Sequence, residues 1–430
     1  MSKTVYIRTF GCQMNVHDTE KMFGVLLQSG YQRTESAQTA DLIILNTCSI
    51  RQKAEQKFYS ELGRLKSHKM KRTDLKIAVA GCIAQQEGVT LFKKAPFVDF
   101  VFGPQNIHML RHIAEKSPPF SALEENPTLE LCDLPSARND EIQAWVTIMY
   151  GCSNFCSYCV VPYARGRERS RPSENIYAEI SELADRGCKE ITLLGQNVNS
   201  YASDVDFPGL LKKLDAIRGI RRIRFVTSHP KDLSDPLIRT VAGLPGVCEH
   251  IHLPLQSASD SVLMRMNRGY AFKEYLQKID ALRKMIPDIA ITSDIIAGFP
   301  GESDDDHVQT MQALEEISFD GIFAFAFSAR PHTRAATYEG QIPEDIKLRR
   351  LQEILRLQDR LTLAKNKGLE GTTQEILIEG SSETDKHKMM GKTRTNKIVT
   401  LETRDIPKGS FICAKIVKAR KHSLEGVPVI

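Results

Sequence analysis

The stretch Gly151–Cys159 has the sequence GCSNFCSYC and contains three of the ten cysteines of the chain. It places Cys152, Cys156 and Cys159 in a C-x3-C-x2-C spacing directly after a predicted β-strand. Three thiolates so close together can converge on one soft metal centre. Zinc requires a fourth ligand, which the neighbouring sequence does not offer, whereas a [4Fe–4S] cluster held by three cysteines leaves one iron open. A structural zinc knuckle is the alternative interpretation.

The segment around this loop alternates between apolar strands and amphipathic helices. Six such β/α repeats over about 190 residues predict a partial or complete β/α barrel, whose chemistry gathers at the carboxyl ends of its strands. The predicted strands are Trp145–Tyr150, Glu190–Leu194, Arg222–Thr227, His250–Leu255, Ala290–Ile296 and Gly321–Phe327.

Three earlier strands each end just before a cysteine. Lys3–Thr9 leads to Cys12, Asp41–Asn46 leads to Cys48, and Lys76–Ala80 leads to Cys82. Short β-branched runs separated by helical stretches predict a small parallel α/β sheet. Ligands bind at the carboxyl edge of such a sheet, so this edge is expected to gather Cys12, Cys48 and Cys82 into a second open-iron site. The alternative is that each is a small buried apolar residue.

The rest of the chain divides into a linker and a C-terminal unit. Residues from about Lys116 to Asp140 are rich in Pro, Ser, Asn and Asp, which is typical of a linker, and a helix is predicted from Asp345 to about Lys367. Short runs from Thr372 onwards predict a small all-β barrel.

The composition of the chain indicates where in the cell the protein is expected. The chain has 430 residues, of which 58 are basic, 53 acidic and ten cysteine. No apolar run is long enough for a membrane helix, and the N-terminus lacks the features of a secretory signal. A cytoplasmic location is therefore expected, where metal ligation or burial is more common for cysteine than a disulfide. Four cysteines share no spacing and are expected to be ordinary thiols: Cys132, Cys188, Cys248 and Cys413.

Specific motifs run through almost the whole chain. They include FGCQMN at Phe10–Asn15, LNTCSIRQKA at Leu45–Ala54, VAGCIAQQEG at Val79–Gly88 and GCSNFCSYCVVPYARGRERSRP at Gly151–Pro172. LLGQNVNSY, SHP, LPLQSASD, GFPGE and FSARP follow in order. In these motifs the chain resembles the radical S-adenosylmethionine (SAM) methylthiotransferase family. Gln13-Met14-Asn15 is similar to the branch that acts on isopentenylated tRNA adenosine.

The resemblance implies three domains in an α/β chain. These are an N-terminal small parallel α/β cluster domain (1–118), a central (β/α)6 partial TIM-type radical SAM barrel (138–368) and a C-terminal small all-β TRAM barrel that binds RNA (371–430).

The resemblance also implies a tRNA methylthiotransferase. It would insert sulfur and a methyl group at carbon 2 of N(6)-isopentenyladenosine beside the anticodon, using two [4Fe–4S] clusters and two SAM molecules. The cluster on Cys152, Cys156 and Cys159 would cleave SAM, and the cluster on Cys12, Cys48 and Cys82 would carry the sulfur. An external electron donor such as flavodoxin or ferredoxin is implied. Nothing in the sequence demands more than a monomer.

Polar residues at predicted strand ends are the candidate SAM ligands, although residues there can also cap the following helix. The candidates are Gln196, Asn197, Gln256, Ser257, Ser259 and Glu302. Two positions depart from the family pattern: His332 and Ala258 stand where glycine is usual. Because glycine permits conformations that other residues resist, different loop geometry is expected around Gln256, Ser257 and Arg330.

Basic residues cluster in three stretches. Arg51–Lys76 has nine basic and three acidic residues, and Thr372–Ile430 has eleven and seven. The third stretch follows the cysteine loop. Such runs are often solvated surface, but next to a proposed RNA-modifying site they predict contact with phosphates. The candidate RNA-binding residues are Arg165, Arg167, Arg169, Arg171, Lys392 and Arg394.

Two other functions remain as alternatives. One is a methylthiotransferase for threonylcarbamoyl-adenosine tRNA or for a ribosomal-protein aspartate. The other is a non-catalytic RNA-binding protein that carries zinc or a cluster.

Overall fold

The computed structural model describes residues 3–49, 52–125, 134–138, 140–382, 385–403 and 405–429. The chain forms two compact units. The first contains the described residues up to 138 together with Met149–Arg171 and Ser328–Ala336. The second contains the residues from 140 to 148, Pro172–Phe327 and the chain from Thr337 onwards. The cysteine loop therefore folds with the N-terminal part of the chain.

The first unit is built on a six-stranded parallel sheet of order β2-β1-β3-β4-β5-β6. Its elements, with a 3-10 helix at Pro104–His112, are β1 (Thr4–Thr9), α1 (Gln13–Gln28), β2 (Gln32–Arg33), β3 (Leu42–Thr47), α2 (Gln52–Lys71), β4 (Lys76–Gly81), α3 (Cys82–Glu87), α4 (Thr90–Lys94), β5 (Phe100–Phe102) and β6 (Phe120–Ala122). The predicted strands are confirmed. The predicted linker additionally contains β6, which pairs with β5.

The central strand β3 explains why this sheet is stable. All six of its residues are buried, and successive side chains point to opposite faces. Leu42 and Ile44 join one apolar core, and Ile43 and Leu45 join the other. A sheet covered on both faces is the normal setting for parallel strands, and its carboxyl edge remains for ligands.

The barrel begins with β7 (Gln143–Thr147), and the residues from Met149 to Arg171 belong to the first unit. These form β8 (Met149–Tyr150), α5 (Val161–Arg165) and β9 (Arg169–Ser170), with β8 and β9 antiparallel. The single strand predicted at Trp145–Tyr150 is thus wrong. The strand is interrupted at Ile148. The backbone N–H of this residue still donates to the Leu194 carbonyl in the second unit's sheet, at 2.9 Å.

The second unit contains the other barrel strands in two parallel sheets, β11-β10-β7 and β12-β13-β14. This six-stranded arrangement agrees with the predicted partial barrel. Its elements are α6 (Ser173–Asp185), β10 (Glu190–Leu194), α7 (Phe207–Asp215), β11 (Arg222–Phe225), α8 (Asp235–Gly243), β12 (His250–His252), α9 (Asp260–Arg265), α10 (Phe272–Met285), β13 (Ala290–Ala297), α11 (Asp304–Ile317), β14 (Gly321–Ala326) and α12 (Glu344–Lys367), with 3-10 turns at Val198–Ser200 and Pro230–Asp232.

The C-terminal strands close into a five-stranded barrel of order β15-β16-β17-β19-β18, as predicted. They are β15 (Thr373–Ser381), β16 (Met389–Thr393), β17 (Ile398–Leu401), β18 (Phe411–Ala419) and β19 (Leu424–Pro428). Inward side chains such as Ile376, Val399 and Leu424 form its core. Closure removes exposed strand edges, which makes so small an all-β unit stable.

Candidate functional site

The three N-terminal cysteines follow three neighbouring strands of the first unit. β1, β3 and β4 are adjacent and parallel, and Cys12, Cys48 and Cys82 come directly after them or within three residues of their ends. We call these residues the N-terminal triad. Cys48 and Cys82 are buried and Cys12 is half-buried. The predicted gathering of all three at one sheet edge is therefore present in the topology.

Gly11 shows how tightly this edge is packed. It has φ of +114°, and a Cβ atom there would lie 2.1 Å from Cβ of Cys48 and 2.8 Å from its Sγ. Both the backbone conformation and the lack of space therefore require glycine. Gly11 lets the loop that carries Cys12 approach the neighbouring cysteine.

A buried arginine lies beside the N-terminal triad. Arg165, at the end of α5, is 4% exposed. Its Nη2 donates to Oδ2 of Asp18 at 2.7 Å and to Oδ1 of Asn15 at 3.0 Å. Its backbone carbonyl accepts from Nε2 of Gln105 at 2.9 Å, which fixes the end of α5 on the first unit. The guanidinium is thus held by neighbours on α1, the helix that follows Cys12.

The charge of Arg165 lowers the pKa values of nearby cysteine thiols. A hydrogen bond from Cys48 lowers the pKa of Cys12 to about 6; burial opposes this shift, and the charge of Arg165 adds to it. Burial raises the pKa of Cys82, while the charge of Arg165 and a hydrogen bond from it act in the opposite direction. The edge therefore favours at least one thiolate, which is the form that ligates iron.

The second set, Cys152, Cys156 and Cys159, which we call the loop triad, lies on a compact turn of the first unit. Cys152 N–H donates to the Gly166 carbonyl at 3.2 Å, and Cys159 N–H donates to the Cys156 carbonyl at 2.9 Å. Gly151 has φ of +71°, and a Cβ there would lie 2.1 Å from the Arg167 carbonyl oxygen. Cys152 and Cys156 are buried and Cys159 is half-buried.

Both triads offer the donor chemistry of an iron–sulfur cluster. Thiolates are soft ligands that favour such clusters, and three of them leave one position open. Within the described ranges, no three Cys, His, Asp or Glu side chains already lie at the spacing that holds one metal ion. The backbone thus brings the cysteines to common regions, and the side chains must still turn towards a shared centre. In donor chemistry, the residues present suit an iron–sulfur cluster.

Two candidate SAM ligands in the second unit retain buried oxygens that make no hydrogen bond. These are Oε1 of Gln196 and Oδ1 of Asn197, just beyond the carboxyl end of β10. Nδ2 of Asn197 is already used by Asp232, at 2.7 Å. A buried unsatisfied acceptor is costly in a protein that binds nothing there, so these oxygens suit a ligand that donates hydrogen bonds.

Gln256 also fits a binding role, since it has φ of +74° beyond β12. Such a conformation is rare for a residue other than glycine and is often found at binding sites. Its backbone pairs with Asp294 and Ile296 of β13, which holds the turn in place.

Three other candidates are used by the fold itself. Glu302 accepts hydrogen bonds from the N–H groups of Gly298 and Phe299 and from Arg350, at 3.0, 3.4 and 2.8 Å. The Ser259 hydroxyl donates to Asp306 at 2.5 Å, and that of Ser257 lies 3.4 Å from the hydroxyl of Thr310. The hydrogen-bonding groups of these three side chains thus stabilise turns and helix ends, and their contact with SAM stays a prediction.

The two departures from the family pattern have different outcomes. His332 has φ of +66°, so a position where glycine is usual does carry a left-handed backbone. Ala258 is buried and does not have positive φ; the positive φ lies two residues earlier, at Gln256. Arg330 forms an ion pair with Glu55 at 2.7 Å, within the first unit.

Three of the six predicted RNA-binding residues are buried or form ion pairs within the fold. Arg165 and Arg171 are 4% and 2% exposed, so both are in the interior. Arg394 makes two 2.7 Å contacts with Glu249 and donates to the Val247 carbonyl. The fold itself uses or encloses the charges of these three residues, and their contact with RNA stays a prediction.

The other RNA candidates keep access to solvent. Arg167 is exposed, Arg169 is half-buried, and Lys392 is partly exposed beside Glu379 at 3.0 Å. Outward residues on β18 that sequence reasoning did not single out, Lys415 and Lys418, are exposed as well. Lys415 would have been found from the alternation of polar and apolar residues along FICAKIVKA, whereas Lys418 follows an irregularity in the strand between Ile416 and Lys418.

Sequence reasoning also missed the polar face of α1. Asn15 and Asp18 are buried and hold Arg165, and Lys21 donates to the Tyr150 hydroxyl at 2.6 Å. Asn15, Asp18 and Lys21 follow Cys12 at intervals of three residues, so they lie on one side of the helix. This spacing could have identified them from the sequence. The remaining thiols behave mostly as expected: Cys188 and Cys248 are buried, whereas Cys413 is exposed and Cys132 lies outside the described residues.

No helix in the described part of the chain combines the length and apolar character needed to cross a membrane. Three family models match: Uncharacterized protein family UPF0004 at residues 4–103, the Radical SAM superfamily at 146–314 and the TRAM domain at 367–429. Among solved structures, the radical SAM methyltransferase TsrM from Kitasatospora setae has a TM-score of 0.59 at 15% identity, covering 78% of this chain and 75% of that one. This likeness shows a shared fold.

Curated relatives are far more similar in sequence. A protein of Thermodesulfovibrio yellowstonii is 53% identical over 99% of this chain and 98% of its own length. One of Syntrophus aciditrophicus is 48% identical over 99% and 94%. Both are named tRNA-2-methylthio-N(6)-dimethylallyladenosine synthase. With its cysteines at the expected strand ends, the chain therefore belongs to the tRNA-2-methylthio-N(6)-dimethylallyladenosine synthase family of radical SAM enzymes.

Proposed function

We propose that the protein methylthiolates carbon 2 of N(6)-isopentenyladenosine beside the anticodon of tRNA. The observation that carries the proposal is the arrangement of two cysteine triads in a chain up to 53% identical to relatives with that name. The domains are 1–118, 138–368 and 371–430, and the three family matches support this division. The protein acts as a cytoplasmic monomer and takes electrons from a flavodoxin or ferredoxin.

The proposal includes two [4Fe–4S] clusters, one on each triad, and SAM in two roles. When bound, these groups supply the reactivity that replaces an aromatic C–H bond with C–S, which side-chain acid–base chemistry cannot do. The chain's own residues provide position and environment. Gly11 and Gly151 allow close backbone packing next to the cysteines, and Arg165 contributes a buried positive charge.

SAM binding is proposed for the strand ends of the second unit. The buried oxygens of Gln196 and Asn197 can accept hydrogen bonds from its polar groups, and the Gln256 turn offers a further polar contact. The tRNA is contacted by the exposed lysines of β18 and by Arg167. Such contacts recognise the RNA by its shape and phosphates, which suits a substrate presented on a folded stem.

The experiment that tests the reaction uses the purified, anaerobically reconstituted protein with tRNA that carries isopentenyladenosine. We expect the methylthiolated nucleoside and 5′-deoxyadenosine by mass spectrometry, and loss of that nucleoside from cells without the protein. A substrate limited to threonylcarbamoyl-adenosine tRNA or ribosomal protein would contradict the proposal. Tightly bound zinc without SAM cleavage would do so too.

Variants separate the two triads. Replacing Cys12, Cys48 and Cys82 by alanine should preserve 5′-deoxyadenosine formation but abolish methylthiolation. Replacing Cys152, Cys156 and Cys159 should abolish both. Cys413→Ala is the matched control, because this thiol is exposed on the C-terminal barrel and should leave both products unchanged. Loss of both products in the first variant would mean that the triads do not have separate roles.

A further inference from the structure

The arginine beside the N-terminal triad has a more specific role than packing. Arg165 comes six residues after Cys159 of the loop triad, yet its guanidinium lies among residues next to Cys12. It donates hydrogen bonds to Asp18 and to Oδ1 of Asn15, and the same Asn15 oxygen accepts from Sγ of Cys12 at 3.8 Å. A buried charge is expensive to maintain, and Asp18 alone would compensate it. The shared Asn15 oxygen places this charge beside Cys12.

We propose that Arg165 is a positioning residue that stabilises the reduced state of the iron–sulfur cluster on the N-terminal triad. The inference rests on the proposed function, because that cluster is itself part of the proposal. Reduction adds one electron and makes the cluster one unit more negative, with no bond formed or broken. A fixed positive charge nearby favours this change, and charge and hydrogen bonds to sulfur are known determinants of cluster potential.

Asp18 lies close by and must act in the opposite sense. It bonds to Arg165 at 2.7 Å, and its negative charge disfavours further negative charge on the cluster. Arg165 has the stronger influence of the two, because its guanidinium shares the Asn15 oxygen with the thiol of Cys12. Both side chains are at most 5% exposed, so solvent and salt screen them little. The pair thus predicts shifts of opposite sign when either charge is removed.

The experiment uses the full chain with Cys152, Cys156 and Cys159 replaced by alanine, so that only the N-terminal cluster remains. The midpoint potential is measured by anaerobic redox titration followed by electron paramagnetic resonance. In Arg165→Gln we expect reduction to be disfavoured at least tenfold, which is about 59 mV for one electron. Arg165→Lys should retain most of the wild-type potential, and Asp18→Asn should shift it upward. Arg64→Gln, which removes a surface charge from the same unit, is the control.

The outcomes separate the two proposals. If the loop-triad variant with intact Arg165 holds no four-iron cluster, the proposed second cluster is wrong. If it holds one and Arg165→Gln has the same potential as Arg64→Gln, only the inference about Arg165 is wrong. Should Arg165→Gln fail to retain iron, Asp18→Asn decides: an upward shift supports the inference and an unchanged potential overturns it.

Discussion

Arg165 and Asp18 form a buried ion pair, with 2.7 Å between Nη2 and Oδ2, beside Cys12 of the N-terminal triad. The pair joins α5, which follows the loop triad, to α1, which follows Cys12. Both segments belong to the first unit. The ion pair therefore connects the chain segments that carry two proposed iron-binding sets, and it must serve stability as well as any electrostatic role.

Asp18→Ala should strongly destabilise the first unit. Among the described residues, the substitution leaves the buried Arg165 guanidinium with the Asn15 side chain as its remaining partner, and losing one member of a buried pair costs about 3–5 kcal/mol. Urea unfolding under anaerobic conditions measures the loss. Glu182→Ala is the control, because Glu182 pairs with Arg186 where both side chains are more than 70% exposed; its effect should stay within about 0.5 kcal/mol. Equal effects of the two variants would contradict the structural role.

Gln196→Ala should weaken SAM binding while Glu302→Gln should not. The first removes a buried oxygen with no hydrogen-bond partner in the protein, and losing one hydrogen bond of about 1.4 kcal/mol corresponds to a tenfold higher Kd. Glu302 is already used by Gly298, Phe299 and Arg350, so its change should lower stability instead. Calorimetric titration of reconstituted protein measures the Kd. A tenfold loss of binding in Glu302→Gln would instead show that this residue is a SAM ligand.

His250 should make the second unit less stable in mild acid. Burial lowers the pKa of this histidine to about 3, and nearby Arg224 adds to the shift. Between about pH 6.5 and pH 3 the unfolded chain binds a proton at this position and the folded chain does not. The free energy of unfolding therefore falls as pH decreases, by up to about 1.4 kcal/mol per pH unit from this group.

Other buried histidines also have lowered pKa values. The contribution of His250 is therefore measured by comparing a His250 variant with the wild type. Buried His229 also has a pKa lowered to about 2. Urea unfolding at several pH values between 6.5 and 4 should show a shallower pH dependence in His250→Gln than in the wild type. Identical slopes would show that His250 is protonated in the folded state as readily as in the unfolded chain.

The sequence predicted the parts of the fold that depend on local pattern. Runs of apolar β-branched residues marked β1, β3 and β4, and the rule that parallel strands share a carboxyl edge brought Cys12, Cys48 and Cys82 together. Boundaries that depend on tertiary contacts were less accurate. The strand that begins at Gln143 ends at Thr147, and the residues from Met149 belong to the other unit, of which local sequence carries no sign.

The burial of charged side chains was the least predictable property. Arg165 and Arg167 are two residues apart in one basic run, and nothing local distinguishes them. In the structure the first is buried against Asp18 and the second is exposed, because the end of α5 faces α1. Pairing across 147 positions in the chain decides which arginine is structural. Sequence pattern located the cysteines correctly but could not assign the charges around them.

The face that contacts RNA can be tested by reversing charge on β18. Lys415→Glu and Lys418→Glu should weaken tRNA binding and reduce the slope of log Kd against log salt by about one for every phosphate that is no longer neutralised. Because both lysines are exposed, the free energy of unfolding should hardly change. Arg394→Gln is the matched contrast: it breaks the ion pair with Glu249, so it should lower stability and leave the salt slope intact. Filter binding at several salt concentrations measures the slope. A normal slope in the lysine variants together with a reduced one in Arg394→Gln would place the RNA on the face that carries Arg394.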